Sequence, residues 1–206
     1  SPLTGEGKKA AGLDICEQLN WNAPDRIFVS GGDGNIISGL HKGLKDLYAL
    51  GLIDKLPKLM GIQAKGSAAC ANAWRAQTET ITPVSAQTIA DSISVDLPRD
   101  GVRAVRAVAQ TGGAYLTVGD DDILDAMRVL ARQAAVFSEP AGATAYAGLA
   151  QAVRQGLLQP DETVVVLITG NGLKDVKSAI KAAGQAVRIE PTLAAVKAHV
   201  SNLKRE

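Results

Sequence analysis

The sequence predicts an α/β fold of three layers, in which a mostly parallel sheet is flanked by helices on both faces. Short apolar runs alternate with amphipathic stretches along the chain, which is typical of parallel strands joined by helical crossovers. Residues 163–169 (TVVVLIT) carry no charge and are apolar at nearly every position, which predicts a strand buried on both faces. We expect one α/β domain over residues 1–206.

The first half of the chain predicts two strands and two helices. Residues 26–30 form a β-branched and aromatic run that ends in glycines, and residues 58–64 form a second apolar run. Between them, apolar residues recur at helical spacing from position 35 until Gly51. An alanine-rich helix is predicted after the second strand, as far as about residue 77, followed by a long connection over residues 78–100.

The second half continues the same alternation. The predicted helices cover residues 102–110, a stretch opened by the three acidic residues 120–122, and residues of about 142–155 and 172–183. The predicted strands cover residues 114–118 and 163–169. One more strand and an amphipathic helix are expected between residues 187 and 206.

Composition excludes several classes of protein. The 206 residues include 22 Lys and Arg against 21 Asp and Glu, and 46% are hydrophobic, which argues against a disordered chain and against a nucleic-acid partner. No apolar run approaches the roughly 20 residues that cross a bilayer, so no membrane partner is expected. Cys16 and Cys70 are too few for a disulfide framework and lack metal-site spacing, so we expect a cytoplasmic protein without a metal.

The turn after the first strand, residues 30–35 (SGGDGN), is a candidate phosphate site. Its glycines permit a close approach of backbone N–H groups to an anion, and the following helix adds its positive end. Leu40 and His41 stand where a P-loop has Lys and Ser or Thr, and Ile37 replaces the third glycine of a dinucleotide fingerprint. A phosphorylated ligand smaller than a nucleotide is favoured, with a tight turn that binds nothing as the alternative.

A second turn, residues 169–175 (TGNGLKD), follows the strongest strand. Thr169 ends that strand, so its hydroxyl would reach the crevice at the carboxyl edge of the sheet. The alternative is a turn without a ligand, in which Asn171 adopts the left-handed conformation. His41 and His199 have no Ser or Cys motif beside them and are interpreted as solvated histidines.

Five segments occur in the order typical of pyridoxal-phosphate enzymes of fold type II, and the chain most resembles the threonine synthase family. The segments are 6–9 (EGKK), 31–36 (GGDGNI), 50–54 (LGLID), 139–141 (EPA) and 169–175. The resemblance implies that pyridoxal 5′-phosphate binds here, with its phosphate on the backbone N–H groups of Gly31, Gly32, Asp33, Gly34 and Asn35. It also implies that the Thr169 hydroxyl bonds the pyridine nitrogen and that Glu139 lies beside the ring. Alternatively, Glu139 is only a carboxylate at a helix start before Pro140.

By the same resemblance, the intact protein converts O-phosphohomoserine and water to threonine and phosphate. The partners implied are a small amino-acid substrate and a second copy of the chain in a homodimer. In this family the lysine that binds the cofactor precedes the EGKK segment, and Lys8, Lys9 and Lys174 do not match it. We therefore expect a fragment of the large cofactor-binding domain, with its amino-terminal part and any catalytic residue lying elsewhere and with no activity of its own.

Two positions depart from the family pattern, and a third carries an unfavourable charge. Thr4 replaces an Arg that is thought to hold the substrate's phosphate, and Gly32 replaces an Asn in the phosphate loop. Asp33 places a carboxylate beside the proposed phosphate, which is tolerable only if its side chain turns away or caps the helix. A related lyase or synthase, such as a threonine dehydratase or cysteate synthase, and a non-catalytic module that binds phosphate or another ligand remain alternatives.

Overall fold

A computed structural model describes residues 2–186 and 188–203 of the chain, and within them four strands form one parallel sheet. The strands are β1 (Arg26–Ser30), β2 (Lys58–Ala64), β3 (Ala114–Val118) and β4 (Val164–Leu167). Their order across the sheet is β3-β2-β1-β4, and each neighbouring pair is parallel. The predicted α/β class and the predicted parallel sheet are confirmed.

The described helices are α1 (Pro2–Lys8), α2 (Ala10–Gln18), α3 (Asn35–Ala49), α4 (Ala69–Arg75), α5 (Gly101–Gln110), α6 (Asp120–Ala134), α7 (Pro140–Arg154), α8 (Val176–Ala183) and α9 (Leu193–Leu203). Helices α2 to α8 lie on the two faces of the sheet. Short 3₁₀ turns occupy Asp91–Ile93 and Gly172–Asp175. None of the helices in the part of the chain that the structure describes is long and apolar enough to cross a membrane.

Two hydrophobic clusters, one on each face, hold the layers together. Residues of α2 to α5 pack on one face, and residues of α6 to α8 pack on the other. Strand β1 supplies both clusters, because Ile27 and Val29 point to the first and Phe28 points to the second. This alternation follows from the two-residue period of a strand, and it buries each of these side chains completely.

Most element boundaries match the sequence prediction. Strands β1, β2 and β3 and helices α3 to α6 lie where expected, and the segment between α4 and α5 has no regular structure besides Asp91–Ile93. Helix α7 begins at Pro140, two residues before its predicted start, because proline is well suited to a first helical position. Helices α1 and α2 were not predicted.

The prediction that the fourth strand is buried on both faces is confirmed only in part, because its side chains pack against both clusters but stay partly exposed. Strand β4 covers only Val164–Leu167 and stands at the edge of the sheet, paired with β1 alone among the described strands. All four of its residues are partly exposed. An apolar strand sequence indicates that other elements cover the two faces of the strand. It does not indicate whether the strand has one neighbouring strand or two.

The last predicted elements are partly corrected. No strand occurs over residues 188–192, where Pro191 lacks a donor for a ladder, and position 187 lies outside the described residues. The helix expected over 172–183 begins with a 3₁₀ turn at Gly172–Asp175 and restarts as α8. The restart follows from Asp175, whose carboxylate accepts a hydrogen bond from the Ser178 N–H at 3.0 Å and caps α8. The amphipathic helix near the end is present as α9.

Candidate functional site

A cavity of about 330 Å³ lies where β1 and β4 end. These two strands are parallel neighbours, so their carboxyl ends meet at one edge of the sheet. All the residues that the sequence analysis assigned to cofactor binding line this cavity, namely Gly31, Gly32, Asp33, Gly34, Asn35, Glu139 and Thr169. The structure therefore brings the two turns together, as the site prediction requires.

The glycine turn is shaped by close contacts that exclude side chains. Gly34 precedes α3 with φ at 83°, a left-handed conformation that favours glycine. A Cβ atom on Gly34 would lie 2.7 Å from the Cβ of Ala104, and one on Gly32 would lie 2.8 Å from the Cα of Ile93. Both positions therefore need glycine for their backbone to pack as it does.

Six consecutive backbone N–H groups, those of residues 32–37, have no hydrogen-bond acceptor among the described residues. Three of them belong to the first turn of α3, where a helix leaves its N–H groups without internal partners. The Gly31 N–H differs, because it donates to the Ile62 carbonyl at 2.8 Å and continues the ladder between β1 and β2. The donors available to an anion thus begin at Gly32, and Gly31 lines the cavity without offering its N–H.

The Asp33 carboxylate is turned toward the segment that precedes α5. Its Oδ1 accepts a hydrogen bond from the Arg99 N–H at 3.1 Å, and its carbonyl accepts one from the Asp100 N–H at 2.9 Å. Helix α3 is preceded by Gly34, and no side chain caps its first turn. The sequence analysis required that the Asp33 side chain either turn away from the phosphate or cap the helix. In the structure it turns away and bonds to the Arg99 N–H.

The second turn differs in detail from the sequence prediction. Strand β4 ends at Leu167, so Thr169 lies beyond the strand, and its side chain is exposed in the cavity. Asn171 has φ at −80° and is not left-handed; its side chain accepts a hydrogen bond from the Leu173 N–H at 2.9 Å. The Thr169 hydroxyl has no hydrogen-bond partner among the described residues and faces the cavity ready to donate or accept.

Glu139 joins the second turn to the start of α7. Its backbone N–H donates to the Gly170 carbonyl at 2.9 Å, and its Oε1 lies 3.1 Å from Lys174 Nζ. Glu139 is only 6% exposed, and a Cβ on Gly170 would clash with its carboxylate. Glu139 does precede α7, but its carboxylate pairs with Lys174 and caps no helix. Sequence reasoning missed this ion pair, although Lys174 belongs to the TGNGLKD segment.

The amino-terminal segment also reaches the cavity, which Thr4 and Lys8 both line. Helix α1 approaches α3 so closely that a Cβ on Gly39 would clash with the Cβ of Lys8. This close approach holds Lys8 beside the glycine turn, where it adds a cationic side chain to that of Lys174. The departure at Thr4 therefore lies in the site itself.

The interpretation of His41 as a solvated histidine is wrong. The residue is buried on α3 and only 6% exposed, and burial, followed by the charge of Lys45, lowers its pKa to about 4. His199 lies half-buried on α9. The described residues contain no group of three or more His, Cys, Asp or Glu side chains placed to hold a metal ion.

Residues 1–170 match the protein family described as pyridoxal-phosphate dependent enzyme. The chain is 39% identical to the threonine synthase of Methanocaldococcus jannaschii over 191 residues, covering 92% of this chain and 47% of that protein. It is 35% identical to the threonine synthase of Methanosarcina acetivorans over 198 residues, covering 96% of this chain and 49% of that protein. The chain thus spans about half the length of these relatives.

Solved structures show the same fold. The processed form of threonine deaminase isoform 2 from Solanum lycopersicum superposes with a TM-score of 0.69 at 21% identity, over 87% of this chain and 49% of that one. At this identity the likeness concerns the fold, which is that of the fold type II enzymes. The chain covers only part of that fold.

Proposed function

The chain belongs to the family of pyridoxal-phosphate-dependent enzymes, and we propose that it is the part of a threonine synthase-like lyase that holds the cofactor's phosphate and ring. The intact enzyme would convert O-phosphohomoserine and water to threonine and phosphate. The observation that carries this proposal is the single cavity that receives both the free N–H groups after Gly31 and the Thr169 hydroxyl. Similarity to threonine synthases over most of the chain supports the choice of reaction.

The residues present fit pyridoxal 5′-phosphate. The N–H groups of residues 32–37 and the positive end of α3 suit a phosphate dianion, and the clashes at Gly32 and Gly34 show that the turn that presents these groups packs too closely against its neighbours to carry side chains there. The cofactor, when bound, supplies an electron sink for bond breaking next to the substrate's amino carbon. The role of this chain is to position and tune that group.

Two side chains would act at the ring. The Thr169 hydroxyl would bond the pyridine nitrogen, and because a hydroxyl is neutral it would not force that nitrogen to stay protonated. The Glu139 carboxylate, held by Lys174, would lie beside the ring with its position set by Gly170. Lys8 would attract the substrate's phosphate in place of the Arg that Thr4 replaces, since an ammonium group binds phosphate as a point charge.

A binding test on the chain separates the cradle from the ring contact. Pyridoxine 5′-phosphate, which lacks the aldehyde and so cannot react with lysines, should bind more tightly than pyridoxine in calorimetric titration. Thr169→Val should weaken binding of pyridoxine 5′-phosphate roughly two- to tenfold, as loss of one hydrogen bond predicts. Thr163→Val, also exposed and at the other end of β4, is the matched control and should bind like the unchanged chain.

Substrate choice is tested in a full-length protein that contains this chain. Release of phosphate from O-phosphohomoserine, with an absorbance band that borohydride abolishes, would support the threonine synthase-like reaction. Turnover of threonine instead would favour a dehydratase, and Thr4 and Gly32 are the residues that favour this alternative. If the protein binds free phosphate but does not bind pyridoxine 5′-phosphate, a non-catalytic module is favoured and the enzyme proposal is contradicted.

The remaining expectations concern the localisation and oligomeric state of the intact enzyme and the part of it that this chain represents. We propose that the intact enzyme is a cytoplasmic homodimer, that this chain forms most of its large domain, and that the lysine binding the cofactor lies in a preceding segment. The small number of cysteines favours the cytoplasm, and the family resemblance supports the homodimer, the large domain and the position of the lysine. The partial coverage of the relatives supports the placing of that lysine outside this chain. The chain alone should bind cofactor analogues without turning over substrate.

A further inference from the structure

A groove between α3 and α5 collects cationic side chains away from the cavity just described. Its volume is about 200 Å³. The residues that line it are Ser38, His41, Lys42, Lys45, Arg103, Arg106 and Gln110. The spacing along each helix is three or four residues, which places one face of α3 opposite one face of α5. Four of the seven lining residues carry positive charge, and the lining contains no Asp or Glu.

His41 lines this groove and contains a buried polar atom without a partner. The residue is only 6% exposed, and its Nε2 has no hydrogen-bond partner among the described residues. A buried polar atom without a partner costs free energy, and in native proteins most such atoms bond to a protein group, an ordered water or a ligand. With burial holding its pKa at about 4, the imidazole is neutral near pH 7 and can donate a hydrogen bond from one ring nitrogen.

The cations of the groove differ in how they are neutralised. Lys42 pairs with Glu6, Arg103 with Asp100 and Arg106 with Glu79, and each of these carboxylates comes from outside the lining. Lys45 has no carboxylate within ion-pair distance in the described part of the chain and is exposed to solvent.

We propose that this groove is a second anion-binding site, which takes a compact phosphorylated molecule. Three features support it: the convergence of four cations, the unpartnered buried nitrogen of His41, and a lining without carboxylates. The volume of about 200 Å³ is below the roughly 300 Å³ at which pockets for drug-sized ligands begin, so free phosphate or a small phosphate ester fits better than a nucleotide. The proposal is independent of the function proposed for the cavity at the strand ends.

The test uses the side-chain signals of the two histidines in the chain. Inorganic phosphate and glycerol 3-phosphate are titrated separately, at constant ionic strength, and the ¹⁵N-labelled imidazoles are followed by NMR. We expect a saturable shift of the His41 signals, with His199 on α9 unchanged as the internal reference. The probe that saturates at lower concentration identifies free phosphate or an ester as the preferred form. A shift reproduced by sodium chloride, or no shift with either probe, would overturn the proposal.

Ser38 lines this groove and also contacts the glycine turn, because its hydroxyl donates a 2.7 Å hydrogen bond to the Gly34 carbonyl. A variant is therefore needed to distinguish phosphate bound in the groove from phosphate bound at the turn. Lys45→Met removes one cation without stranding a carboxylate, and it should weaken the His41 response roughly tenfold. Pyridoxine 5′-phosphate binding should stay unchanged in this variant. Lys181→Met, at an exposed lysine of α8, is the matched control. An equal response of His41 in Lys45→Met would show that phosphate acts from the glycine turn and would overturn the second site.

Discussion

Single residues decide the shape of the glycine turn, and Gly34 is the most constrained of them. It combines a left-handed backbone with a neighbour, Ala104, that leaves no room for a side chain. Gly112, which follows α5, has φ at 64° but nothing within 4 Å of its missing Cβ. A substitution at Gly112 would therefore cause backbone strain alone, whereas one at Gly34 would add steric overlap to that strain.

We predict that Gly34→Ala lowers the free energy of unfolding by about 2–4 kcal/mol, since left-handed strain and overpacking add. Gly112→Ala should cost about 1 kcal/mol, from strain alone. Urea unfolding of both variants and the unchanged chain measures the difference. Equal losses in the two variants would mean that the contact with Ala104 relaxes at no cost.

Which site residues the sequence could and could not predict depends on how local their role is. Gly32 and Asn35 were predicted because a glycine-rich turn before a helix has a local signature. The pairing of Glu139 with Lys174 joins positions 35 residues apart and has no such signature. The burial of His41 was missed for the same reason, because it depends on α5 packing across α3.

At the scale of elements, helix α7 packs closely against the sheet, and Gly148 makes this approach possible. A Cβ on Gly148 would clash with the side chain of Ile62 in β2, whereas a Cβ on Gly7 in α1 would meet nothing within 4 Å. Both glycines are inside helices, where alanine is intrinsically preferred. Because only their surroundings differ, substitution by alanine should have opposite effects on the stability of the chain at Gly148 and at Gly7.

Gly148→Ala should therefore destabilise the chain by about 1–3 kcal/mol, the usual cost of overpacking a core. Gly7→Ala should stabilise it by about 0.5–1 kcal/mol, from reduced backbone entropy in the unfolded chain. Thermal or urea unfolding gives both values. Stabilisation by Gly148→Ala would show that α7 can move away from β2 freely.

An ion pair fastens the start of β1 to the turn before β4. Arg26 donates to both carboxylate oxygens of Glu162, at 2.7 and 2.8 Å, and lowers the pKa of that carboxyl below its ordinary value. A lowered pKa means that the folded chain favours the ionised form. The stabilisation is complete above the ordinary glutamate pKa of about 4.3. It is lost as the pH falls through the lower pKa of the folded state.

Glu162→Gln should thus cost about 1 kcal/mol near pH 7, where the bidentate pair is ionised. The difference from the unchanged chain should shrink between pH 7 and an acidic pH below the lowered pKa of Glu162, where the native carboxyl has taken up its proton. Urea unfolding at the two pH values is the measurement. A difference that is the same at both would assign the effect to packing and not to the charge of Glu162.

At the scale of the whole molecule, the sheet formed by the described residues ends at β4, which pairs there with β1 alone. The Arg26 N–H donates to the Thr163 carbonyl at 3.3 Å, so in a parallel ladder residues 163, 165 and 167 face β1. The N–H groups of Val164 and Val166 then point away from β1, and no acceptor for them occurs in the part of the chain described. An apolar, unpaired edge is a template for a further strand.

We predict alternating hydrogen exchange along β4 in the chain at low concentration. The amides of Val165 and Leu167 should be protected, and those of Val164 and Val166 should exchange much faster, because only the first two lie in the ladder. NMR-detected exchange measures each amide separately. Protection of Val164 and Val166 that grows with protein concentration would show instead that the edge pairs with a second copy.

The sequence by itself determined the α/β class, most element boundaries and the two turns that form the proposed cofactor site. These features follow from local patterns: hydrophobic period, glycine before a helix, and motif order. The tertiary structure alone decided that β4 is an edge strand, that Glu139 pairs with Lys174, and that His41 faces a cationic groove. Each of these depends on which elements become neighbours, and contact between distant segments leaves no periodic trace along the chain.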